Sequence, residues 1–345
     1  MSLPLQSCLV TGASGFLGRV IARQLAARGA RVIAYGRSSP EALLREGVAT
    51  WVRGELDDAE ALSRACAGVD TVFHVAAKAG VWGSYDDYFR PNVLGTRAVL
   101  SACRKAAVPR LVFTSSPSVA YGETGIEGGD ESLPYPSRYL THYPATKAQA
   151  EREVLAANGP DLATCALRPH LIWGPEDGNL LPRLIARAKA GKLIQVGDGL
   201  NKVDVSYVDN AAFAHIQAAL ALADTGAPAG KAYFIGDAEP VLLWPWINRL
   251  LIELKLPPVK RRISYAGARL LGRGCEALWS LGRLSGEPPM TRFVAAQLAT
   301  SHWFRHDAAA RDFGYAPAID NDEGLRRTVS YELRIKRQES EHGRS

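Results

Sequence analysis

The stretch Cys8-Leu9-Val10-Thr11-Gly12-Ala13-Ser14-Gly15-Phe16-Leu17-Gly18, continued by Arg19-Val20-Ile21-Ala22-Arg23-Gln24-Leu25, decides how the remainder of the chain is read. A short apolar run meets a turn with glycines three apart, and apolar residues at helical spacing follow at once, so the order is strand, tight loop, helix. Such a loop lets backbone N–H groups approach a pyrophosphate, and the helix N-terminus behind it adds partial positive charge. The spacing is Gly-x-x-Gly-x-x-Gly, not the Gly-x-Gly-x-x-Gly of the usual dinucleotide fingerprint. A plain glycine turn gives the same string, so the neighbouring segments carry the decision.

Outward from the loop, Arg31-Val32-Ile33-Ala34-Tyr35 reads as a second strand ending at Gly36-Arg37-Ser38-Ser39. A site for NAD places a carboxylate about 20 residues past the glycines, whereas a site for NADP needs cations there. Tyr35 and Gly36 offer no carboxylate, and Arg37 with Ser38 can hold a 2′-phosphate, so NADP(H) is expected over NAD(H); the plainer alternative is a solvated loop arginine. A third strand, Thr50 to Gly54, leads into Glu55-Leu56-Asp57-Asp58, whose carboxylates either cap the next helix or lie near the adenine. The strand Thr71 to Ala77 ends in small residues that admit a cofactor close to the backbone, and its His74 is expected to be buried and hydrogen-bonded rather than catalytic. The loop Lys78 to Tyr88 carries Trp82, Tyr85 and Tyr88 and is expected to roof an apolar substrate. A helix from about Asn92 to Ala107 and a strand Arg110 to Thr114 continue the alternation, which predicts an α/β, doubly wound parallel sheet.

The residues that carry chemistry come next. Thr114-Ser115-Ser116-Pro117-Ser118 closes that strand, and Tyr143-Pro144-Ala145-Thr146-Lys147 follows. On a helix, positions i and i+4 share a face, so a phenol and an ammonium point into one pocket, and Pro144 suits the first turn. A tyrosine ordinarily titrates at about 10, and a nearby cation lowers that value; Lys147 is expected to be the cation.

Together these motifs, with Asn92-Val-Leu-Gly-Thr96 and Leu167-Arg-Pro-His-Leu-Ile-Trp-Gly-Pro175, resemble the extended branch of the short-chain dehydrogenase/reductase superfamily over essentially the whole chain. Within it, Leu171 to Pro175, Tyr207-Val-Asp-Asn-Ala211, Glu287-Pro-Pro-Met290 and Trp244, Trp246, Trp279 and Trp303 resemble the 3β-hydroxysteroid dehydrogenase family. The pattern is similar to a bacterial subgroup reducing 2-alkyl-3-oxoalkanoates and to sterol-4α-carboxylate 3-dehydrogenases, both of which handle a 3-oxygen function beside a carboxylated carbon. The resemblance implies a Rossmann fold in which Ser116 binds the reacting oxygen, Tyr143 is the general acid or base, and Lys147 tunes Tyr143 and contacts the nicotinamide ribose. It implies cofactor contacts from Gly12, Ser14, Gly15, Phe16, Leu17, Gly18, Arg37, Ser38, Glu55, Leu56, Ala76, Ala77, Lys78, Asn92, Tyr143, Lys147, Pro169 and His170. Substrate contacts are expected from Trp82, Tyr85, Ser116 and Pro117. A homodimer paired through the Asn92 and Tyr143 helices is expected from the resemblance alone.

The second half supplies the substrate lobe. Residues 1–173 and 203–238 are assigned to the dinucleotide-binding unit, 174–202 and 239–330 to the lobe, and 331–345 to a frayed charged tail. From Ile263 to Leu284, Arg269, Arg273, Glu276, Ser280 and Arg283 recur every three or four positions among leucines. Preceded by Lys260-Arg261-Arg262, this amphipathic helix either packs its apolar side on the core or lies on an anionic membrane surface. His302 and His306 lack a third ligand at useful spacing, so no metal is expected.

Composition sets the outer limits. At 345 residues with 47% apolar and 22% charged residues, the chain is long enough for a large core and matches soluble globular proteins. The net charge of +6 is dispersed, which argues against nucleic acid. Five scattered cysteines in apolar surroundings suit reduced thiols, and with no export segment or membrane span in view a cytoplasmic protein is expected. The expected activity is NADP(H)-dependent interconversion of a 3-keto and a 3-hydroxy group on a large hydrophobic substrate. A nucleotide-sugar epimerase, a non-catalytic NADP sensor and a structural role stand as alternatives.

Overall fold

The computed structural model describes residues 5–122, 124–282 and 284–342. Its centre is a parallel sheet built from β1 (Ser7–Thr11), β2 (Arg31–Gly36), β3 (Thr50–Arg53), β4 (Thr71–His74) and β5 (Arg110–Thr114). Short β6 (Ile126–Gly129) interrupts the series in sequence before β7 (Ala163–Pro169). Then come β8 (Ile172–Trp173), β9 (Gln195–Val196), β10 (Lys202–Val203), β11 (Ser206–Tyr207) and β12 (Ala232–Ile235), followed by β13 (Val241–Leu242), β14 (Arg262–Ile263) and β15 (His302–Phe304). Seven of these form the main sheet in the order β12-β7-β5-β4-β1-β2-β3, and every pairing in it is parallel. Apart from the partly exposed edge strand β3, the strands are buried on both faces by helices, as their continuous apolar runs require. This is the Rossmann-like α/β arrangement expected from the sequence.

The crossovers run one way from β1 to β3 and the other way from β4 to β12, so the strand order switches between β1 and β4. Ligands of doubly wound sheets bind at the carboxyl ends of the strands at that crevice. The glycine loop and Val75 to Lys78 meet there. Gly12 takes φ +71°, and a Cβ on it would stand 2.9 Å from the Ala76 backbone, so only glycine lets the loop lie against the end of β4. A Cβ on Gly18 would collide with the Gly12 carbonyl, so the first helix, Phe16–Ala26, starts flush with the turn.

A second, four-stranded sheet has the order β13-β10-β15-β6. It draws Ile126–Gly129 from the first half and Lys202–Val203 from the segment expected to rejoin the main sheet. Of the expected segment, the return to the main sheet is made by the helix Val208–Asp224, followed by β12, and not by Lys202–Val203. A separate apolar cluster of Trp173, Trp244, Trp246 and the leucines of the helices Leu180–Lys189 and Leu243–Glu253 forms the core of this half. Residues 331–342, expected to fray, continue the helix Asn321–His342, while 343–345 lie outside the described residues. Asp320 starts that helix by accepting the Glu323 amide, and Glu323 binds Arg326 and Arg327 a turn further on. All five cysteines are free.

The helix Tyr265–Gly282 departs from the usual amphipathic pattern. Only Ala268 and Gly272 on it are buried, and Leu270 and Leu281 are 72% and 87% exposed. Its apolar side therefore does not pack on the core. Gly272 presses on the Thr291–Arg292 backbone, where a Cβ would sit 2.7 Å away, and the polar side overhangs a cavity. Arg283, expected on that polar side, lies outside the described residues. No helix among the described residues is long and apolar enough to cross a membrane.

Candidate active site

The strand end Thr114-Ser115-Ser116 is tied down from behind. His215 donates from Nδ1 to the Ala211 carbonyl at 2.7 Å, which leaves Nε2 to accept the Thr114 hydroxyl at 2.8 Å. The Ser115 amide donates to the Leu167 carbonyl at 2.6 Å on β7. Ser116 then opens a one-turn 3₁₀ helix over Pro117–Val119, with its hydroxyl 2.8 Å from that of Ser118.

Tyr143 lies in the first turn of the helix His142–Ala156, with Pro144 beside it where a missing N–H is harmless. Lys147, one turn on, is 2% exposed; its Nζ donates to the Thr114 carbonyl at 2.6 Å and sits 4.0 Å from the centre of the Phe113 ring. The helix and strand end thus bring Ser116, Tyr143 and Lys147 together. The electrostatics run opposite to expectation. Burial pushes the Tyr143 phenol above its ordinary value, with the Ser116 hydroxyl pulling the other way and Tyr88 adding to the rise. Burial also drives Lys147 down from 10.5 to about 7, partly offset by Glu151 one turn further along. With its own value at about 7, the Lys147 amine is neutral at the pH where a phenol ionises and so does not draw the Tyr143 value down.

Under this pair lies a buried ion pair. Arg168 holds Glu151 bidentately at 2.9 and 2.6 Å, and the Tyr135 hydroxyl donates to the same carboxylate at 2.6 Å. Both charged side chains are almost fully enclosed.

The cofactor side is assembled around Thr11 and Asn92. The Thr11 hydroxyl accepts the Val75 and Ala76 amides and donates to His74 Nδ1 at 2.8 Å; His74 Nε2 then donates to Thr96 at 3.0 Å. Burial takes His74 down to about 3, so it is a neutral structural link, as its place in an apolar strand suggested. Asn92 was expected to touch the cofactor. Both of its amide hydrogens are committed, to the Lys78 carbonyl and to Thr146, and its oxygen accepts the Lys78 amide at 2.8 Å. It clamps the loop after β4 to the Tyr143 helix.

The residues present fit a dinucleotide. The helix Phe16–Ala26 has Gly15 at its N-cap, no side-chain cap and no acidic residue in its first turn, so Ser14 to Gly18 leave that N-terminus free for an anion. Arg37, 75% exposed beyond the end of β2, stands 3.7 Å from Glu55, and the Tyr35 hydroxyl donates to the Glu55 carbonyl. Leu56 packs on Gly95 and Asp58 caps the helix Ala59–Cys66. Ala77 and Lys78 follow Ala76 along the crevice, and Lys78 approaches Asp87.

Pro169 ends β7, and His170 after it is fully engaged. Its Nε2–H donates to His302 Nδ1 at 2.6 Å, and His302 Nε2–H donates to the Gln297 carbonyl at 2.8 Å. Burial depresses both imidazoles. Tyr121 stacks on His302 and accepts from the Gln297 side chain at 2.5 Å. His302 and His306 do not share a helical face: His302 lies in β15, and His306 approaches Asp204 at 3.3 Å.

A cavity of about 550 Å³ is lined by Tyr88 and His142, next to Tyr143, which does not itself line it. Trp82, Tyr88 and His142 form one wall and Arg273, Ser280 and Arg292 the other. Tyr88 carries it toward Tyr143, at 6.5 Å between ring centres, and donates to the Trp82 carbonyl at 2.7 Å. Tyr85, expected to touch substrate, does not line this cavity. Ser84 and Asp87 make a capping box that winds Tyr85–Phe89 into a helix, which turns Tyr88 inward and leaves Tyr85 against Phe89 and His142. Ser116 and Pro117 also lie outside the cavity wall. Arg273 and Arg292 escaped sequence reasoning; their spacing on an amphipathic helix and a cap was the only available signal.

A sequence profile of the 3-beta hydroxysteroid dehydrogenase/isomerase family matches residues 9–263. The chain belongs to this family. A 2-alkyl-3-oxoalkanoate reductase of Stenotrophomonas maltophilia (strain K279a) is 52% identical over 92% of this chain and 97% of its own length. The decarboxylating sterol-4-alpha-carboxylate 3-dehydrogenase of Mus musculus is 35% identical over 94% of this chain and 90% of its own. Among solved structures, MoeE5 in complex with UDP-glucose and NAD superposes with a TM-score of 0.71 at 27% identity, covering 95% of this chain and 99% of that one. As a member of the 3-beta hydroxysteroid dehydrogenase/isomerase family, the protein is an oxidoreductase acting on a CH–OH/C=O pair.

Proposed function

We propose that the protein is an NADP(H)-dependent reductase that converts the 3-oxo group of a 2-alkyl-3-oxoalkanoate to a 3-hydroxy group. The observation that carries this reading is the group Ser116, Tyr143 and Lys147 at the carboxyl edge of the sheet, joined through Tyr88 to a cavity walled by aromatic side chains and arginines. A bound nicotinamide supplies the hydride. Ser116 donates a hydrogen bond to the carbonyl oxygen, and Tyr143 gives that oxygen its proton as negative charge gathers there. A phenol kept protonated by burial suits the reducing direction, because the acid is loaded at neutral pH. Lys147 holds the Tyr143 helix against the strand end through Thr114 and faces the ribose.

Phe16, Leu17 and Gly18 present backbone N–H groups to the pyrophosphate, the Gly12 and Gly15 amides shape the turn by donating to the Tyr35 and Gly12 carbonyls, and Ala76, Ala77, Pro169 and His170 flank the nicotinamide. Arg37 and Ser38 select the 2′-phosphate, with Arg37 leaving Glu55 to do so. Residues 1–173 and 203–238 serve the cofactor, apart from the strands lent to the second sheet, and the remainder to 330 serves the substrate. The exposed leucines of Tyr265–Gly282, flanked by exposed Lys260, Arg261 and Arg262, meet an anionic lipid surface. The chain works as a homodimer paired through the helices of Asn92 and Tyr143, and sedimentation giving a monomer overturns that part.

The test is oxidation of NADPH with a long-chain 2-alkyl-3-oxo acid, run beside NADH, Tyr143→Phe and Arg37→Ser. The expected result is preference for NADPH, lost in Arg37→Ser, and a fall in kcat of roughly 10²- to 10⁴-fold in Tyr143→Phe with NADPH affinity retained. No turnover of the acid by wild type refutes the reading.

A further inference from the structure

We propose that Arg273 reads the carboxylate of the substrate, so that the enzyme selects 3-oxo acids over the corresponding neutral ketones and esters. The inference rests on the reductase reading and deepens it. Three formally charged side chains line the cavity: Arg273, Glu276 and Arg292. Glu276 is consumed by Arg292, accepting its backbone amide and its Nε, each at 2.7 Å. Arg273 makes no ion pair or hydrogen bond with any described residue, although it stands only three positions before Glu276 on the same helix. Its charge is therefore the one on the cavity wall without a counterion among the described residues, and the lining as a whole carries an excess positive charge.

The setting makes that charge selective. Arg273, exposed at the cavity, shares its lining with Trp82, Tyr88 and His142, and the Tyr88 ring lies 6.5 Å from that of Tyr143 between centres. A guanidinium grips a carboxylate through two parallel N–H···O bonds, which fixes orientation as well as position. In a 3-oxo acid the carboxylate carbon is two bonds from the reacting carbonyl. Gripping it on the Arg273 side turns the carbonyl toward Tyr143 and leaves both alkyl chains to run out along the exposed leucines. The same helix thus supplies the polar grip on one face and an apolar exit on the next.

The experiment compares kcat/KM for a 2-alkyl-3-oxo acid and for its methyl ester in wild type, Arg273→Met and the control Arg45→Met, an exposed arginine of the segment Glu41–Arg45 that does not line the cavity. Wild type is expected to favour the acid. Arg273→Met should lower kcat/KM for the acid by about 10- to 100-fold, the usual worth of a charge-assisted pair, and leave the ester within about twofold. Arg45→Met should keep the wild-type ratio. An unchanged acid-to-ester ratio in Arg273→Met overturns the proposal. Binding of palmitate and of hexadecanol to the same three proteins, measured by calorimetry, separates the two claims. If neither keto substrate is reduced, the reductase reading falls, while loss of palmitate binding confined to Arg273→Met still upholds the carboxylate site. Equal binding of palmitate in wild type and Arg273→Met sinks it.

Discussion

Replacing Lys147 by methionine tests the electrostatics of the site through stability. The Lys147 amine falls from 10.5 to about 7 on folding, because burial penalises the ammonium more than Glu151 supports it. Between those values the unfolded chain binds a proton that the folded chain does not, so stability rises with pH in that window, and it is lost as pH falls toward 7. The slope for one proton is about 1.4 kcal/mol per pH unit, so the wild type gains roughly 2 kcal/mol over Lys147→Met between pH 7.5 and 9. Methionine keeps much of the volume over Phe113 but leaves the Thr114 carbonyl without its donor, a loss of about 1–3 kcal/mol. The variant is therefore expected to be the less stable protein at pH 9 and to close the gap or overtake at pH 6. Urea unfolding of both proteins across this range measures the difference directly. Parallel stability profiles would show that Lys147 does not titrate in the folded state as burial requires.

Two further substitutions probe the scaffold. Arg168→Met strands the enclosed Glu151 carboxylate with only Tyr135 as donor, and should cost about 3–5 kcal/mol in urea unfolding, most of it recovered when Glu151→Gln is added; a milder single variant would contradict the pairing. Gly12→Ala places a methyl against the Ala76 backbone at a positive φ, so it should weaken NADPH binding by at least tenfold while circular dichroism stays that of a folded protein, and unaltered affinity would remove the loop from the cofactor site.

The fold was readable because its signals are local. Glycines three apart behind an apolar run, and Tyr143 with Lys147 a helical turn later, each fix a conformation within a few residues. What escaped reading depends on partners far away in the chain. His170 pairs with His302 across 132 positions, and no pattern near either histidine announces it. The helix Tyr265–Gly282 left two alternatives open for a different reason. Amphipathic spacing tells that two faces differ and is silent on which one meets protein; here the polar face overhangs a cavity and the leucines stay outside. The choice between Tyr85 and Tyr88 turned on the Ser84–Asp87 capping box, a short signal inside a segment read as loop. The upward direction of Tyr143 depended on burial depth, which spacing does not report.

The hydrogen-bonded imidazoles at His170 and His302 constrain how the enzyme can open. They lie where β15 of the second sheet meets the end of β7, and swinging the whole substrate half away would leave His170 Nε2 and His302 Nδ1, both on enclosed rings, without each other. Any motion that admits a substrate is confined to what lies outside that bolt. The helix Tyr265–Gly282 is the natural moving part, since it is fastened along one edge, at Gly272 and Glu276, and its leucines gain nothing from the closed position. Amide exchange should accordingly be fast along that helix and slow in β15. That pattern of exchange would mark the fold as a fixed frame with one movable edge, and that edge carries Arg273.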